Sequence, residues 1–433
     1  MIKKPLPVVE VTLDKIVGGG QAIGTLEDGQ KIFVWGGLPG EKVTVQVTKK
    51  KSKMLQGVVT EVLKPSKQRT EPKDPDSYIS TSPWQIMDFE AEQHYKSALV
   101  EEAFELHDIV LPNQIKVYSD NNQFGYRNKV EFSWYWNKET EQLDLSFFRR
   151  GTHGKIPVEG TSLAHPNINA VGLAFRDILR KAETKAFDLK TLLIRCNSKG
   201  QTIAQLYVKN EEFQPISEKS LEKIDNLVGF ELIYSEPKSP ASVITKRMAK
   251  WGIDSLEDIV LDITFNYATE GFFQINLPVY EKALQDMKQW IEDKPVVDLY
   301  SGVGTIGLTI GGNNLKLIEI NKDAVREMRR NIYSMKREDS VEAILASSES
   351  AVEHITNETT VIVDPPRAGL HDNVIDRLLE VTPSRIIYLS CNPATQARDI
   401  YKLAEKYGIK HHMGYNFFPR TPHIENLVIL ELK

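Results

Sequence analysis

The stretch "VVDLYSGVGTIGL" (296–308) decides the fold. A short apolar run reaches Asp298, and Gly302-x-Gly304-x-x-Gly307 follows almost at once. That order predicts a buried strand running into a glycine turn, where the backbone can bend sharply and come close to a ligand. The same rhythm repeats outward. "LKLIEI" (315–320), "TTVIVDPP" (359–366) and "RIIYLSC" (385–391) read as further apolar strands. "YEKALQDMKQWIE" (280–292), "DAVREMRRNIYSM" (323–335) and "HDNVIDRLLEV" (371–381) read as amphipathic helices around them. Apolar runs alternating with such helices indicate a parallel, doubly wound sheet. The tail "HHMGYNFFPRTPHIENLVILELK" (411–433) closes on a strand pair.

Upstream the pattern differs. "VVEVTL", "QKIFVWG", "EKVTVQVT" and "LQGVVTEVL" are short β-forming runs within 6–63, broken by the turns "VGGGQAIG", "EDGQ" and "LPGE". Evenly spaced short strands suggest a small barrel. Alternation puts Val43, Val45 and Val47 inward. Residues 64–77, "KPSKQRTEPKDPDS", read as a linker by composition. In 87–107, Leu99, Ala103 and Leu106 fall near one helical face, with Glu and Lys on the other. From about 124 strands and a helix mix. The expected division is a barrel at 1–63, a linker and helical segment at 64–123, an α+β domain at 124–265 and the doubly wound domain at 266–433.

The chain has 433 residues, 41% hydrophobic and 26% charged, so a multidomain globular protein is expected. No apolar run approaches the roughly 18 residues of a membrane span, and "MIKKPLPVVEVTLD" has no apolar signal core. Two distant cysteines, Cys196 and Cys391, exclude a disulfide framework and a four-cysteine metal site. A reducing, cytoplasmic setting follows as an expectation, with no membrane association and no metal. Net charge is −5, but residues 42–73 carry nine Lys/Arg against two Glu. Such a block is either a solvated basic hairpin or a phosphate-facing patch.

The glycine turn alone fits NAD, FAD or S-adenosylmethionine sites. Glu319 ends the next strand, where a carboxylate can hold ribose hydroxyls. Asp298 can face a cationic ligand, and "VDPPRAG" (363–369) sets a rigid edge beside the strand ends. Together these tilt the reading toward S-adenosylmethionine. Cys391 follows the next strand at the same edge. A free cysteine is ordinarily a small packed hydrophobe, and Cys196, mid-strand, is read that way. Beside a cofactor cleft, Cys391 is a candidate nucleophile, provided a donor or a helix start favours its thiolate. In "FFPRTPHIENLVIL" (417–430), Glu425 precedes an apolar strand and His423 lies two residues earlier on the same face. A thiolate, a base and a methyl donor suit one chemistry. Carbon-5 of uracil becomes nucleophilic once a thiolate adds to carbon-6, and a base then removes the carbon-5 proton.

At these residues the chain resembles the S-adenosylmethionine-dependent RNA uracil-5 methyltransferases, in the branch with an N-terminal TRAM domain that includes 23S ribosomal RNA enzymes. "DLYSGVGTIGL", "VDPPRAGL", "YLSCNPATQARD" and "FPRTPHIENLVIL" carry the likeness, with "GYRNKVEFS" (125–133) and "EGFFQIN" (270–276). "VTLDKIVGGGQAIGTLEDGQKIFVWGGLPGEKV" (11–43) resembles TRAM. The resemblance implies an OB-like RNA-binding barrel, a central α+β domain and a Rossmann-like class I methyltransferase domain. It implies Cys391 as nucleophile and Glu425 as proton acceptor. Gln274, Tyr300, Glu319 and Asp364 would contact S-adenosylmethionine, with Asp298, Gly302 and Gly304 lining its site. Phe272, Arg127 and His423 would hold a flipped base.

Three departures stand out. Residues 71–96 hold no cysteine where many family members ligate an iron–sulfur cluster, so no cluster is expected. Ser301 replaces the family's glycine-loop cysteine, and Ser347 and Ser348 stand where an acidic residue often meets adenine. The implied substrate is structured RNA, ribosomal rather than transfer RNA, acted on by a monomer with no obligate protein partner. Two competing readings are an exocyclic-amine nucleic-acid methyltransferase, which needs no covalent thiol, and an inactive RNA-binding factor.

Overall fold

The computed structural model describes residues 6–51, 54–152, 154–214, 216–240 and 242–433. Residues 1–5 and Lys53 of the basic run lie outside the described residues. Strands β1 (Val8–Ile16), β2 (Ala22–Thr25), β3 (Lys31–Trp35), β4 (Lys42–Lys51) and β5 (Met54–Lys64) close a barrel in the order β1-β2-β3-β5-β4. Val43, Val45 and Val47 point into its core beside Ile32, Val34 and Leu55. The alternation seen in the sequence is thus the barrel's inside and outside.

The segment after β5 is not a loose linker. Arg69 forks onto the buried Glu41 at 2.6 and 2.7 Å and bridges to Met87. Asp74 accepts from Gln85, Thr161 and Ser162, tying this strap to the central domain. Its Pro-rich, polar composition signals irregular backbone. Side-chain hydrogen bonds then fix that backbone. A single turn, α1 (Tyr78–Thr81), leads to α2 (Phe89–Glu105), which starts where the Asp88 carboxylate accepts from the Ala91 amide. The buried face of α2 differs from the expected one. Leu106 is 78% exposed, whereas Glu92, Lys96, Val100, Ala103 and Phe104 are buried. Two charges face inward because a loop near the C-terminus supplies their partners. Strand β6 (Val117–Tyr118) then joins the edge of the C-terminal sheet.

The central domain is a seven-stranded sheet ordered β13-β12-β11-β10-β7-β8-β9. Its strands are β7 (Lys129–Asn137), β8 (Gln142–Phe148), β9 (Lys155–Val158), β10 (Leu189–Cys196), β11 (Thr202–Val208), β12 (Leu227–Tyr234) and β13 (Lys246–Gly252). Helix α3 (Pro166–Lys181) packs on one face, and α4 (Glu218–Leu221) is a single turn. Cys196 lies inside this core and is 0% exposed. The hairpin β14 (Ser255–Val260) and β15 (Ile263–Ala268) is separate from that sheet. Leu256, Val260, Phe265 and Tyr267 share a core with the first helix and first strand of the C-terminal domain and with Ile203 of β11, so the hairpin bridges the central and C-terminal domains.

The C-terminal sheet has eight strands ordered β18-β17-β16-β19-β20-β22-β21-β6. They follow α5 (Leu277–Lys288): β16 (Val296–Leu299), α6 (Thr305–Ile310), β17 (Leu315–Glu319), α7 (Lys322–Ser334), β18 (Val341–Leu345), β19 (Thr360–Val363), α8 (Asp372–Val381), β20 (Arg385–Ser390), α9 (Pro393–Leu403), β21 (Tyr407–Tyr415) and β22 (Glu425–Leu432). Strands β16 to β20 run parallel, and β22 inserts antiparallel between β20 and β21. Strand order reverses at β16, which pairs with β17 on one side and β19 on the other. The crevice at the carboxyl ends of β16, β19 and β20 is where such sheets bind ligands.

Candidate active site

Asp298, in β16, is fully buried. Its Oδ2 accepts the Gly307 amide at 2.9 Å, while Oδ1 is buried with no partner. Burial, and behind it the Asp364 and Glu319 charges, push this carboxyl well above its ordinary range. Tyr300 turns the chain with φ of +62°, a strained conformation for a bulky residue. Gly302 and Gly304 follow at φ of +58° and +86°, and a Cβ on Gly302 would enter open space. The loop therefore leaves room for a ligand beside an unpartnered buried acceptor. An ammonium or sulfonium group fits such a place. Glu319 accepts the Gly302 amide at 2.9 Å and the Asn321 amide at 2.7 Å, which ties the next strand end to the loop. Ser301 is a staple: it donates to the Asp298 carbonyl at 2.6 Å and accepts the Ile318 amide at 2.9 Å. Ser347 is engaged with Ser350 at 2.8 Å, and Ser348 is buried.

Asp364 leaves β19 and is pushed up to about 7 by burial. Cys391 leaves β20 half-buried, immediately before α9. Its partner is set by sheet register. The β20–β22 ladder ends on the pair Ser390–Asn426, so Cys391 and Glu425 are the next residues beyond that end, and the Glu425 charge reaches the thiol. Gln396 holds that end closed, donating to the Tyr388 and Asn426 carbonyls at 3.0 Å each. Glu425 is 5% exposed, and its Oε2 is buried without a partner. Burial first, then Asp364, raise it well above the carboxylate range, and Arg367 opposes them. Burial likewise pushes the Cys391 thiol up to about 11, aided by Glu425 and Asp364 and opposed by Arg367. The thiol is at rest in its neutral form.

Two residues at this edge escaped the sequence reading. Tyr280 of α5 is buried among Asp364, Asp298 and Glu425, and burial drives its phenol well up. Arg367 is the cation beside the thiol, and its carbonyl accepts from Asn392 at 2.8 Å and Thr395 at 3.2 Å. Its place after Asp-Pro-Pro in "DPPRAG" was the available signal. His423 lies 3.3 Å from the Arg367 guanidinium and is pushed down to about 4 by burial and by Arg367, so it is neutral. Arg127 is near His423, with a buried Nε that has no partner. Gln274 is buried, its carbonyl accepting from Asn128 at 2.9 Å. Phe272, 69% exposed, stands out on the same loop, apart from the carboxylates. A cleft of about 520 Å³ opens beside Cys391, walled by Phe33 of the barrel, Leu99 and Glu102 of α2, Arg367 and His423.

A β-barrel joined to a doubly wound sheet, with glycine loop, carboxylates and thiol on one strand-end crevice, defines a class I methyltransferase with an appended small β-barrel. The family model described as tRNA (uracil-5-)-methyltransferase matches residues 89–433, and the TRAM domain model matches 7–60. The chain belongs to this family of S-adenosylmethionine-dependent RNA methyltransferases. An RNA methyltransferase of Enterococcus faecalis is 30% identical over 98% of this chain and 97% of its own length. One of Fusobacterium nucleatum is 28% identical over 98% and 96%. The fold is that of the Pyrococcus abyssi tRNA (uracil-54, C5)-methyltransferase solved with S-adenosyl-L-homocysteine. That match has a TM-score of 0.79 at 21% identity and covers 98% of this chain and 100% of the other.

Proposed function

We propose that the protein methylates carbon-5 of a uridine in structured RNA through a transient bond between Cys391 and carbon-6. The antiparallel register of β20 and β22 supports this reading, because Cys391 and the buried Glu425 both lie just past the last pair of that ladder, close enough for the carboxylate's charge to act on the thiol. S-adenosylmethionine supplies an electrophilic methyl group when bound, and Gln274, Asp298, Tyr300, Gly302, Gly304, Glu319 and Asp364 are the residues proposed to hold it. The Cys391 proton passes to solvent, and its sulfur adds to carbon-6. The electron pair of the ring double bond moves to carbon-5 and the carbonyl, and carbon-5 takes the methyl. Glu425 then accepts the carbon-5 proton, the double bond reforms, and the carbon–sulfur bond breaks with its pair returning to sulfur. Arg367 favours the thiolate. Arg127, His423 and Phe272 are proposed to grip the extruded base.

The barrel is proposed to hold RNA phosphates. Ribosomal RNA is the proposed substrate, with transfer RNA as the competing outcome. The test is incubation of RNA containing 5-fluorouridine with protein and S-adenosylmethionine. Fluorine cannot leave as a proton, so a denaturation-stable protein–RNA adduct should accumulate and vanish in Cys391→Ala. Sequencing the trapped RNA then names the substrate. Full methylation by Cys391→Ala would instead favour the exocyclic-amine reading.

A further inference from the structure

The loop from Asn416 to Ile424 joins β21 to β22 and ends at Glu425. At nine residues it is much longer than the few residues that usually close a hairpin. A loop of that length ordinarily wanders. Here four successive carbonyls are each held by a different part of the chain. Phe417 accepts from Asn276 Nδ2 at 3.2 Å, Phe418 from Lys96 Nζ at 3.1 Å, Pro419 from the Tyr126 hydroxyl at 2.9 Å, and Arg420 from the Trp84 amide at 3.2 Å. Under them lies a buried charge cluster. Lys96 Nζ donates to Asn416 Oδ1 at 2.5 Å and pairs with Glu92 at 3.1 Å. Glu92 also receives the Arg420 amide at 3.0 Å and its guanidinium at 3.2 Å, with Arg420 at φ of +64°. The barrel reaches the same place, since the Gly20 carbonyl accepts from Trp84 Nε1 at 3.0 Å.

Burying three charges is costly, and an apolar turn would serve stability at least as well. What the cluster gives is a fixed path. That matters because Glu425 Oε2 has no hydrogen-bond partner to aim it. The placement of its backbone is set by strand register after it and by this clamp before it.

We propose that Tyr126, Asn276 and Lys96 are positioning residues for Glu425, setting the loop that aims its carboxylate at the carbon-5 proton. The proposal rests on the reading of Glu425 as the base. A misplacement of about 1 Å at a reacting group can cost on the order of a hundredfold in rate. Loss of the clamp should therefore slow proton removal more than methyl transfer.

The test uses the full chain with RNA transcribed from [5-³H]uridine and S-adenosylmethionine carrying a labelled methyl. Tyr126→Phe, Asn276→Ala and the double variant are compared with Glu425→Gln. Tyr126→Phe removes one hydroxyl only, and thermal melts confirm folding. In the double variant, methyl should enter the protein–RNA adduct within about threefold of the wild-type rate. Tritium release and adduct breakdown should slow roughly tenfold or more, so that adduct accumulates with ordinary uridine. Wild-type tritium release in the double variant overturns the proposal, as does an equal fall in methyl entry and release. No adduct in Glu425→Gln removes the base assignment instead, and the proposal with it.

Discussion

The neutral state of Cys391 can be measured directly. Its thiol is pushed up to about 11 by burial, Glu425 and Asp364, against an ordinary value of ~8.5. At pH 8 about one thiol in a thousand is ionised, against roughly one in four for an ordinary cysteine. Alkylation at pH 8 should then run on the order of a hundredfold below that of an ordinary thiol of equal access. The assay is iodoacetamide labelling of the cofactor-free protein from pH 7 to 11, read by intact mass. Cys196, 0% exposed and itself driven up to about 12, stays silent as an internal control. A unit charge within ~4–6 Å moves a neighbour by about 1–3 units. Asp364→Asn should therefore lower the midpoint, and Arg367→Met should raise it. S-adenosylmethionine should lower it more than the uncharged S-adenosylhomocysteine does, because only the former brings a sulfonium. A wild-type midpoint near 8.5, or an Asp364→Asn midpoint equal to wild type, would refute this electrostatic account.

The same carboxylates lower stability. Asp364 binds a proton in the folded state up to about pH 7 but releases it near ~3.9 when unfolded, so stability falls as pH rises through that window. Asp364→Asn should raise the urea midpoint at pH 8 and have little effect at pH 3.5. Lys96 has the inverse sign of shift, down to about 8 in the fold, so its contribution to stability should rise as pH goes from 8 toward 10.5. Lys96→Met should flatten that rise in urea titrations. Arg195 is buried in the central sheet and donates to the Gly271 carbonyl at 2.7 Å, on the loop that carries Gln274. Arg195→Met should weaken S-adenosylhomocysteine binding about tenfold by calorimetry, a charged hydrogen bond being worth ~1.5–3 kcal/mol. Gly20 has φ of +87°, and a Cβ there would lie 2.1 Å from Pro422 Cβ. Gly20→Ala should cost ~1–3 kcal/mol in thermal unfolding and push the barrel off the loop that precedes Glu425.

Strand and helix rhythm made the C-terminal sheet legible, because parallel strands buried on both faces read as unbroken apolar runs. Asp298, the glycines and Glu319 were legible for a related reason: one local strand–turn–helix unit brings them to the crevice. What the sequence hid was mostly non-local. Glu92 and Lys96 pair across one turn of α2, but the Asn416 side chain that completes their burial lies some 320 residues away, so α2 could not be read as burying charge. Arg69 and Asp74 looked like solvated linker residues, yet each grips a partner in another domain. Tyr280 sits on a helix whose apolar face gave no hint that its hydroxyl end meets three carboxyl groups.

The pairing of Cys391 with Glu425 shows why such sites need a fold to be read. The two are 34 positions apart, separated by a helix, a strand and a long loop. In a parallel sheet the carboxyl ends of strands gather on one edge, and their amino ends lie on the other. A residue at the start of a strand would then be remote from a thiol at the end of one. Strand β22 breaks that rule by running antiparallel to β20, so its first residue, Glu425, arrives at the edge that carries Cys391. Register supplies the rest, since a slip of one residue would turn either side chain to the opposite face of the sheet. The inserted strand therefore does chemical work that a purely parallel sheet could not. Under the proposed mechanism it brings the proton acceptor to the sulfur's side, and the clamped loop before it threads the chain back to that edge.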